Sequence, residues 1–203
     1  MCKNVMIIGA GGHAKVIADC VRKLGDKVLG FLDDGVPAGT QVLGDTVFGG
    51  VDEYVNYPDA WFIIGIGNNT IREKIASKLQ GVSFYTAIHP TAYIGEGVNI
   101  GEGTCIMANA VVNACASVGK HCIINTASVV EHDCRLDDFV HLSTTAAVAG
   151  TVTVGKKGYL GIGSRVRNNT DICANVTVGA GGVVVKNITE EGTYIGVPAR
   201  KAE

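Results

Sequence analysis

The sequence predicts an α/β half-domain followed by an all-β parallel solenoid. Three observations carry this. From residue 88 to residue 184 every sixth residue is aliphatic, seventeen positions in succession with no break in phase. The residue four places after each is usually small. Before residue 81 the period vanishes, and short apolar runs alternate with glycine turns and helical patterns.

The aliphatic series runs Ile88, Ile94, Ile100, Ile106, Val112, Val118, Ile124, Val130, Leu136, Leu142, Val148, Val154, Leu160, Val166, Ile172, Val178, Val184. Period six is neither the 3.6 of a helix nor the 2 of a two-faced strand. The segment is rich in Val, Ile, Thr, Gly and Asn, which also argues against helix. Six residues fit one short flat strand plus a corner, and three such sides close a triangular coil of eighteen residues. The seventeen hexads span 102 residues, between five and six coils. At the usual strand spacing they stack into a prism of roughly 27 Å. Each aliphatic residue points inward, and the small residue near each corner is expected to let the backbone turn. Each repeat buries its apolar residue only by stacking on the next. An antiparallel sandwich has no reason to hold phase so long.

In the first eighty residues, Val5 to Ile8 reads as a short buried strand running into Gly9-Ala10-Gly11-Gly12-His13-Ala14. A helix follows, with Val16, Ile17, Cys20, Val21 and Leu24 on one face and Gly25 ending it. Lys27 to Leu32 reads as a second strand closed by Asp33-Asp34-Gly35, and Trp61 to Ile66 as a third leading to Gly67-Asn68-Asn69. A helix from Ile71 to Leu79 and a fourth strand from Val82 to Tyr85 complete the pattern. Gly35 to Asp59 reads as loop with some short elements. Strand, glycine turn, helix, strand is the βαβ unit of a Rossmann-like parallel sheet. Expected domains are residues 1–81 and 82–203.

The glycine turn has the chemistry of a phosphate site. Glycines let backbone N–H groups approach an anion, and a helix N-terminus adds partial positive charge. Gly9-x-Gly11-x-x-Ala14, with Asp33 after the second strand, imitates a dinucleotide fingerprint. About eighty residues are half of a full dinucleotide domain, so a mononucleotide diphosphate suits the size better. Packing of helix on strand is the alternative reason for the glycines.

Composition sets further bounds. A net charge of −2 leaves no footprint for nucleic acid. No apolar run approaches the ~20 residues of a bilayer span, and the four-residue run at Val5–Ile8 is no signal peptide. Seven cysteines without a metal-type C-x-x-C pair suit a reducing cytoplasm, and Cys122 and Cys134 occupy small-residue positions of the repeat.

The hexads Ile94-Gly95-Glu96-Gly97-Val98, Ile100-Gly101-Glu102-Gly103-Thr104 and Val154-Gly155-Lys156-Lys157-Gly158 resemble those of hexapeptide-repeat acyltransferases. That resemblance implies a left-handed parallel β-helix, usually trimeric; handedness comes from it alone. The set Gly9-x-Gly11-Gly12-His13-Ala14-Lys15-Val16, Phe31-Leu32-Asp33-Asp34 and Ile66-Gly67-Asn68-Asn69-x-x-Arg72 resembles one branch of that family. The branch holds sialic acid O-acetyltransferases and UDP-4-amino-sugar N-acetyltransferases of the bacillosamine type, and the similarity covers essentially the whole chain. It implies that the first domain holds a UDP-sugar, with Gly11, Gly12 and His13 near the diphosphate and Asp33, Asp34, Gly67 and Asn68 near the uridine.

Acyl transfer from a thioester needs a base, an oxyanion donor and a slot for the acyl-CoA arm. It needs no covalent acyl-enzyme. His132, in Val130-Glu131-His132-Asp133, is the third residue of its hexad, near a corner and between two carboxylates. Imidazole exchanges a proton near neutral pH, which suits a base. By resemblance His132 is the catalytic histidine and Asp133, where amino-sugar enzymes carry Glu, orients it. His141 matches a second active-site histidine, half a coil away. On one prism the two would sit on different sides, and they could serve one site across a subunit interface. Asn125 matches a polar active-site position, while His121 and His89 read as surface or turn residues. The resemblance further implies that Gly150 presents its N–H to the thioester carbonyl. Gly161, Ile162, Gly179 and Ala180 would line the pantetheine path, and Arg200 and Lys201 would meet CoA phosphates.

The expected activity is therefore transfer of acetyl from acetyl-CoA to the 4-amine of a UDP-4-amino-4,6-dideoxy-N-acetylhexosamine, by a homotrimer without a metal. The same fold acetylating a sugar hydroxyl is the first alternative, and a catalytically silent binding protein the second. A zinc site of the kind found in β-helical carbonic anhydrases fits poorly. The spacings of His121, His132 and His141, eleven and nine, do not match that pattern.

Overall fold

The computed structural model describes residues 2–202, so Met1 and Glu203, the outermost residues of the two expected domains, lie outside the described residues. The first domain is a six-stranded sheet in the order β3-β4-β2-β1-β5-β6, made of β1 (Asn4–Ile8), β2 (Lys27–Leu32), β3 (Gln41–Val42), β4 (Asp45–Gly49), β5 (Trp61–Ile64) and β6 (Ser83–Phe84). All neighbours are parallel except the β3-β4 hairpin. Helix α1 (Gly12–Lys23) follows β1, and α2 (Asn69–Lys78) follows β5. Val5, Ile7, Phe31 and Ile63 bury toward α1, while Met6, Ile8, Leu32, Phe62 and Ile64 bury on the opposite face with Ile75 and Leu79. This is the period-two alternation of a sheet covered on both sides.

Several bounds differ from the sequence reading: α2 runs Asn69–Lys78 rather than from Ile71 to Leu79, and β6 is Ser83–Phe84 rather than Val82 to Tyr85. The third strand ends at Ile64 rather than Ile66, because Gly65 lies where a Cβ would come within 2.7 Å of the Ala14 Cβ. The glycine thus lets the chain press on α1 and turn out of the sheet. The segment read as loop holds β3, β4 and a 3-10 helix, Val51–Asn56. Strand β4 escaped notice because only Val47 of its five residues is buried.

The second domain is a left-handed parallel β-helix. Two-residue strands recur every six residues and pair in parallel with the strand eighteen residues later. Three walls result. Wall I carries Ala87–Ile88, Cys105–Ile106, Ile123–Ile124, His141–Leu142, Tyr159–Leu160 and Val176–Val178, then Gly192–Ile195 and the antiparallel Arg200–Lys201. Wall II carries the pairs ending at Ile94, Val112, Val130, Val148, Val166 and Val184, and wall III those ending at Ile100, Val118, Leu136, Val154 and Ile172. The second residue of each pair points inward. From Ile106 to Val184 these side chains form one buried column, while Ile88, Ile94 and Ile100 in the open first coil are only half-buried.

The corners work differently from expectation. From Ile94 to Val178 the residue three places after each inward aliphatic takes the left-handed backbone conformation, as at Asn109, Cys115, His121, Asp133, Phe139 and Lys157, with φ between +57° and +62° for all of these but His121 at +52°. Only some of these are glycine, because the strict repeat over-determines the turn. The small residue that follows is buried inside the corner, as Ala110, Ala116, Cys122, Ser128, Cys134 and Ala146 are. Small size is needed for volume within the prism, and the turn is made one residue earlier.

The two domains share a core. The outward side chains Ala87, Cys105 and Ile123 of wall I, with Met107 and Tyr85, are buried beneath Ala14, Ile17 and Ala18 of α1. Replacing Leu142 with Ala should lower stability by about 2–5 kcal/mol, read by urea denaturation, because neighbouring coils cannot collapse onto the void. A comparable truncation at outward-facing Thr153 should cost far less.

Candidate active site

Strands β2 and β5 flank β1, and their connections run in opposite directions, so a crevice opens at the carboxyl ends of β1 and β5. Such switch points hold ligands in open α/β sheets. Gly9, with φ +100°, turns the chain out of β1, and its missing Cβ leaves room for Ile66. Gly11 and Gly12 are different: a Cβ at either would meet nothing within 4 Å. Packing therefore does not explain them, and the first turn of α1 is left open to close approach. That turn carries no acidic residue. Asp33 fixes the turn from below, accepting from Ala10 N–H and Gly35 N–H, each at 2.7 Å. Asp34 accepts from Val51 N–H at 2.7 Å. Both carboxylates thus serve the loop frame at the edge of the crevice. Asn68 caps α2 by accepting from Ile71 N–H.

Arg72 of α2 is 1% exposed and locks this crevice to the β-helix. Its Nε donates to His121 O at 2.8 Å, Nη1 to Ile66 O and Gly67 O, and Nη2 to Asn69 Oδ1 and Phe139 O. A guanidinium has five N–H donors, and all five are used. Every acceptor is neutral. Burial lowers the Arg72 pKa to about 10, so the charge persists at neutral pH. Asn69 extends the clamp by donating to Lys157 O and Gly158 O.

Next to this charge lies His141, on the outer face of wall I. Its Nδ1 donates to Gly67 O at 3.1 Å, and Asn125 Nδ2 lies 3.3 Å from its Nε2. The ring packs edge-on against Tyr159 and lies 6.3 Å from the His13 ring, centre to centre. Burial first, then the Arg72 charge, hold its pKa down at about 3. The same two causes hold His13 at about 4. A cavity of about 520 Å³ opens here, lined by Gly67 to Thr70, His141, Lys157, Tyr159, Asn175 and Thr177. Of the expected substrate residues, His13, Gly67, Asn68 and Asn125 converge with His141 on this side of the prism.

His132 lies elsewhere. It sits at the corner between walls II and III, the edge opposite wall I. Its side chain is 59% exposed, and Nδ1 donates to Asp133 Oδ2 at 2.8 Å. A carboxylate only accepts, so Nδ1 holds a proton. The ring lies over Gly150 of the next coil, where a Cβ would come within 2.6 Å of Nε2. Glu131 is tied to the coil before, accepting from Asn113 Nδ2. Gly161, Ile162, Gly179 and Ala180 form a strip along the corner between walls I and II. The glycines are needed there for coil stacking, since a Cβ on Gly161 would meet Val178 O at 2.7 Å and one on Gly179 the Ile195 Cγ2 at 2.8 Å. Ile162 is 54% exposed. Arg200 and Lys201 are exposed on the last hairpin, Lys201 paired with Glu190.

His121, expected at a surface or turn, is a turn residue but buried, packed on Phe84 and Phe139. Its pKa is lowered to about 4 by burial and by Arg72. Among the described residues no group of three or more His, Cys, Asp or Glu side chains is gathered as for a metal ion. No helix among them is long and apolar enough to cross a membrane.

The family described as the PglD N-terminal domain matches residues 4–79. Perosamine N-acetyltransferase PerB from Caulobacter crescentus, solved with CoA and GDP-perosamine, superposes with a TM-score of 0.91 at 40% identity, covering 97% of this chain and 96% of that one. This chain is a hexapeptide-repeat sugar N-acetyltransferase family member. The acetyltransferase domain of PglB from Neisseria gonorrhoeae FA1090 agrees, with a TM-score of 0.94 at 36% identity over 98% of this chain and all of that one. UDP-N-acetylbacillosamine N-acetyltransferase of Bacillus subtilis (strain 168) is 39% identical over 121 residues, 52% of each chain, so this chain spans about half the length of that relative.

Sequence reasoning left parts of this candidate site unread. Tyr159 and Thr177 follow His141 at eighteen-residue steps, so the triangular coil already placed them in one outward column. Arg72 stood in the quoted motif without a role, because nothing local marks a buried arginine whose acceptors are distant carbonyls.

Replacing Gly12 with Ala should leave stability equal or up to about 1 kcal/mol higher, from helix propensity. It should weaken nucleotide-sugar binding in calorimetry, since the new methyl enters open space above the turn. Acid should destabilise the fold. In His13, His121 and His141 the neutral form is favoured on folding, so below pH ~6.5 the unfolded chain takes up protons that the native one refuses. Stability is complete above that pH and falls by about 1.4 kcal/mol per pH unit for each such group until the folded pKa values near 4 and 3 are reached. Melting curves between pH 7.5 and 4.5 should show this slope, and His121→Phe should make it shallower. Phe139 already occupies the equivalent corner one coil later.

Proposed function

We propose that this protein transfers the acetyl group of acetyl-CoA to the 4-amine of a UDP-linked 4-amino-4,6-dideoxy-N-acetylhexosamine. The open cradle at Gly11 and Gly12, beside the cavity at His141, is the observation that carries this reading. It suits a diphosphate at the first turn of α1 with its sugar directed toward the β-helix. Relatives extend the support, one acting on UDP-N-acetylbacillosamine and another solved with GDP-perosamine, which makes the base of the nucleotide a question for the assay.

The chemistry is divided between subunits in this reading. His132 and Gly150 sit on the edge opposite wall I, out of reach of their own chain's cavity. The outward column of wall II, Tyr93, Val111, Val129, Ala147, Arg165 and Val183, is apolar but for Arg165, and no other element among the described residues pairs onto that face, whereas wall III shows Asn99, Ser117, Arg135, Thr153 and Asp171. Burial of wall II in a homotrimer brings the His132 corner of one subunit toward the cavity of the next. His132 Nε2 then takes the proton lost by the attacking amine, with Asp133 holding the ring, and the C–S bond breaks to release CoA, whose sulfur takes that proton back. The Gly150 N–H, which donates to no backbone carbonyl among the described residues, faces the thioester oxygen as it gains charge. Ile162 and the strip at the wall I–II corner receive the acyl-CoA arm, with Arg200 and Lys201 near its phosphates.

A CoA-release assay across UDP- and GDP-linked 4-amino sugars, with sialic acid as the hydroxyl control, should give the highest kcat/KM on a UDP-amino-sugar. A GDP-linked sugar in first place would replace the nucleotide, and sialic acid in first place would replace the amine. His132→Ala should lower kcat by about 10²- to 10⁴-fold while light scattering still reports a trimer. Full turnover in that variant would remove His132 from its role.

A further inference from the structure

The Gly67 carbonyl receives two donors, each at 3.1 Å: Arg72 Nη1 from α2 and His141 Nδ1 from wall I. A carbonyl oxygen has no proton to give, so the second contact requires the His141 proton on Nδ1. Nε2 is then a lone-pair acceptor, met by Asn125 Nδ2 at 3.3 Å. We infer that Arg72 is a positioning residue for the reaction: by holding the Gly67 carbonyl against His141 it fixes the imidazole proton on Nδ1 and keeps Nε2 an acceptor, filled by Asn125 Nδ2 until a donor on the bound sugar takes its place. This rests on the reading of His141 as part of the acceptor site.

The remaining contacts of Arg72 explain why the carbonyl cannot swing away. Its guanidinium also donates to Ile66 O, Asn69 Oδ1, His121 O and Phe139 O, so it is fixed to the crevice loop and to two successive coil corners at once. The 66–67 segment is thereby referenced to the β-helix that carries His141. The charged and titratable groups around the ring point the same way. Arg72 approaches from α2, His13 from α1, Tyr159 from the next coil, and Lys157 lines the same cavity. None of these supplies a negative charge to stabilise a second ring proton at neutral pH. His141 therefore works as a neutral hydrogen-bond acceptor, in contrast to His132, whose partner is a carboxylate.

The tautomer can be read directly. Long-range proton–nitrogen correlation spectra of enzyme labelled with ¹⁵N-histidine distinguish the two ring forms, and His141→Gln identifies the His141 signals. The wild-type spectrum should show Nδ1 protonated and Nε2 unprotonated, unchanged between pH 8 and 5. Arg72→Lys keeps a charge but cannot reach all five acceptors. It should give a mixture of tautomers at His141 and lower kcat by about 10- to 100-fold, with the KM for acetyl-CoA largely unchanged. A wild-type proton on Nε2 overturns the inference without any variant, so a failure of Arg72→Lys to fold does not protect it. A folded Arg72→Lys with wild-type tautomer and kcat also overturns it, as does a shifted tautomer with wild-type kcat. Retained turnover in His141→Gln would instead sink the placement of His141 in the acceptor site, whatever the spectra show.

Discussion

One buried cation organises this molecule. Taking a guanidinium out of water costs several kcal/mol unless its donors are met. Arg72 meets that cost with five acceptors drawn from three places: the loop after β5, the N-terminal turn of α2, and two corners of the β-helix. The α/β domain is therefore seated on the solenoid in one orientation. Apolar contact between α1 and wall I would allow sliding; directional hydrogen bonds to the carbonyls of residues 121 and 139, eighteen apart, do not. The same charge has an electrical effect, since it helps to keep the three histidines nearest to it neutral.

The solenoid supplies the rigid side of the site. Its inward column is continuous apolar packing, and each coil is held to the next by parallel ladders. Outward residues are consequently set in straight columns. In wall I the column changes character along its length, from Ala87, Cys105 and Ile123 under α1 to His141, Tyr159 and Thr177 at the cavity. The helix covers the apolar portion and stops where polar side chains begin. The cavity is thus the uncovered remainder of a wall, bounded on its other side by the crevice loop.

Much of this was legible beforehand because a six-residue period leaves little freedom. It fixed which residues face inward, how far apart stacked residues stand, and that His132 and His141 sit on different sides of the prism. What stayed hidden depended on contacts between distant segments. The left-handed corner residue was misplaced by one position, since Asn, Cys, His, Asp, Phe and Lys all occupy it and share no chemistry that marks it. Strand β4 shows one buried residue and no alternation. Gly11 and Gly12 stood out as motif glycines, but only the space around them separates a ligand cradle from a packing contact. Asp33 and Asp34 were assigned to a uridine, and the fold engages them first in tying loops together.

The eighteen-residue pitch makes the solenoid a ruler with coarse graduations. Adding one whole turn beyond Thr177 would lengthen the prism by a single strand spacing, about 4.8 Å, and leave every side chain on its own face. Losing one residue between Asn125 and His141 would do something quite different. The imidazole would rotate into the hydrocarbon interior and Leu142 out beneath Gly67, exchanging the roles of the two. Chains built on this plan can therefore grow or shrink at their ends by full turns, whereas the stretch that carries the chemistry tolerates substitution but not a change of count.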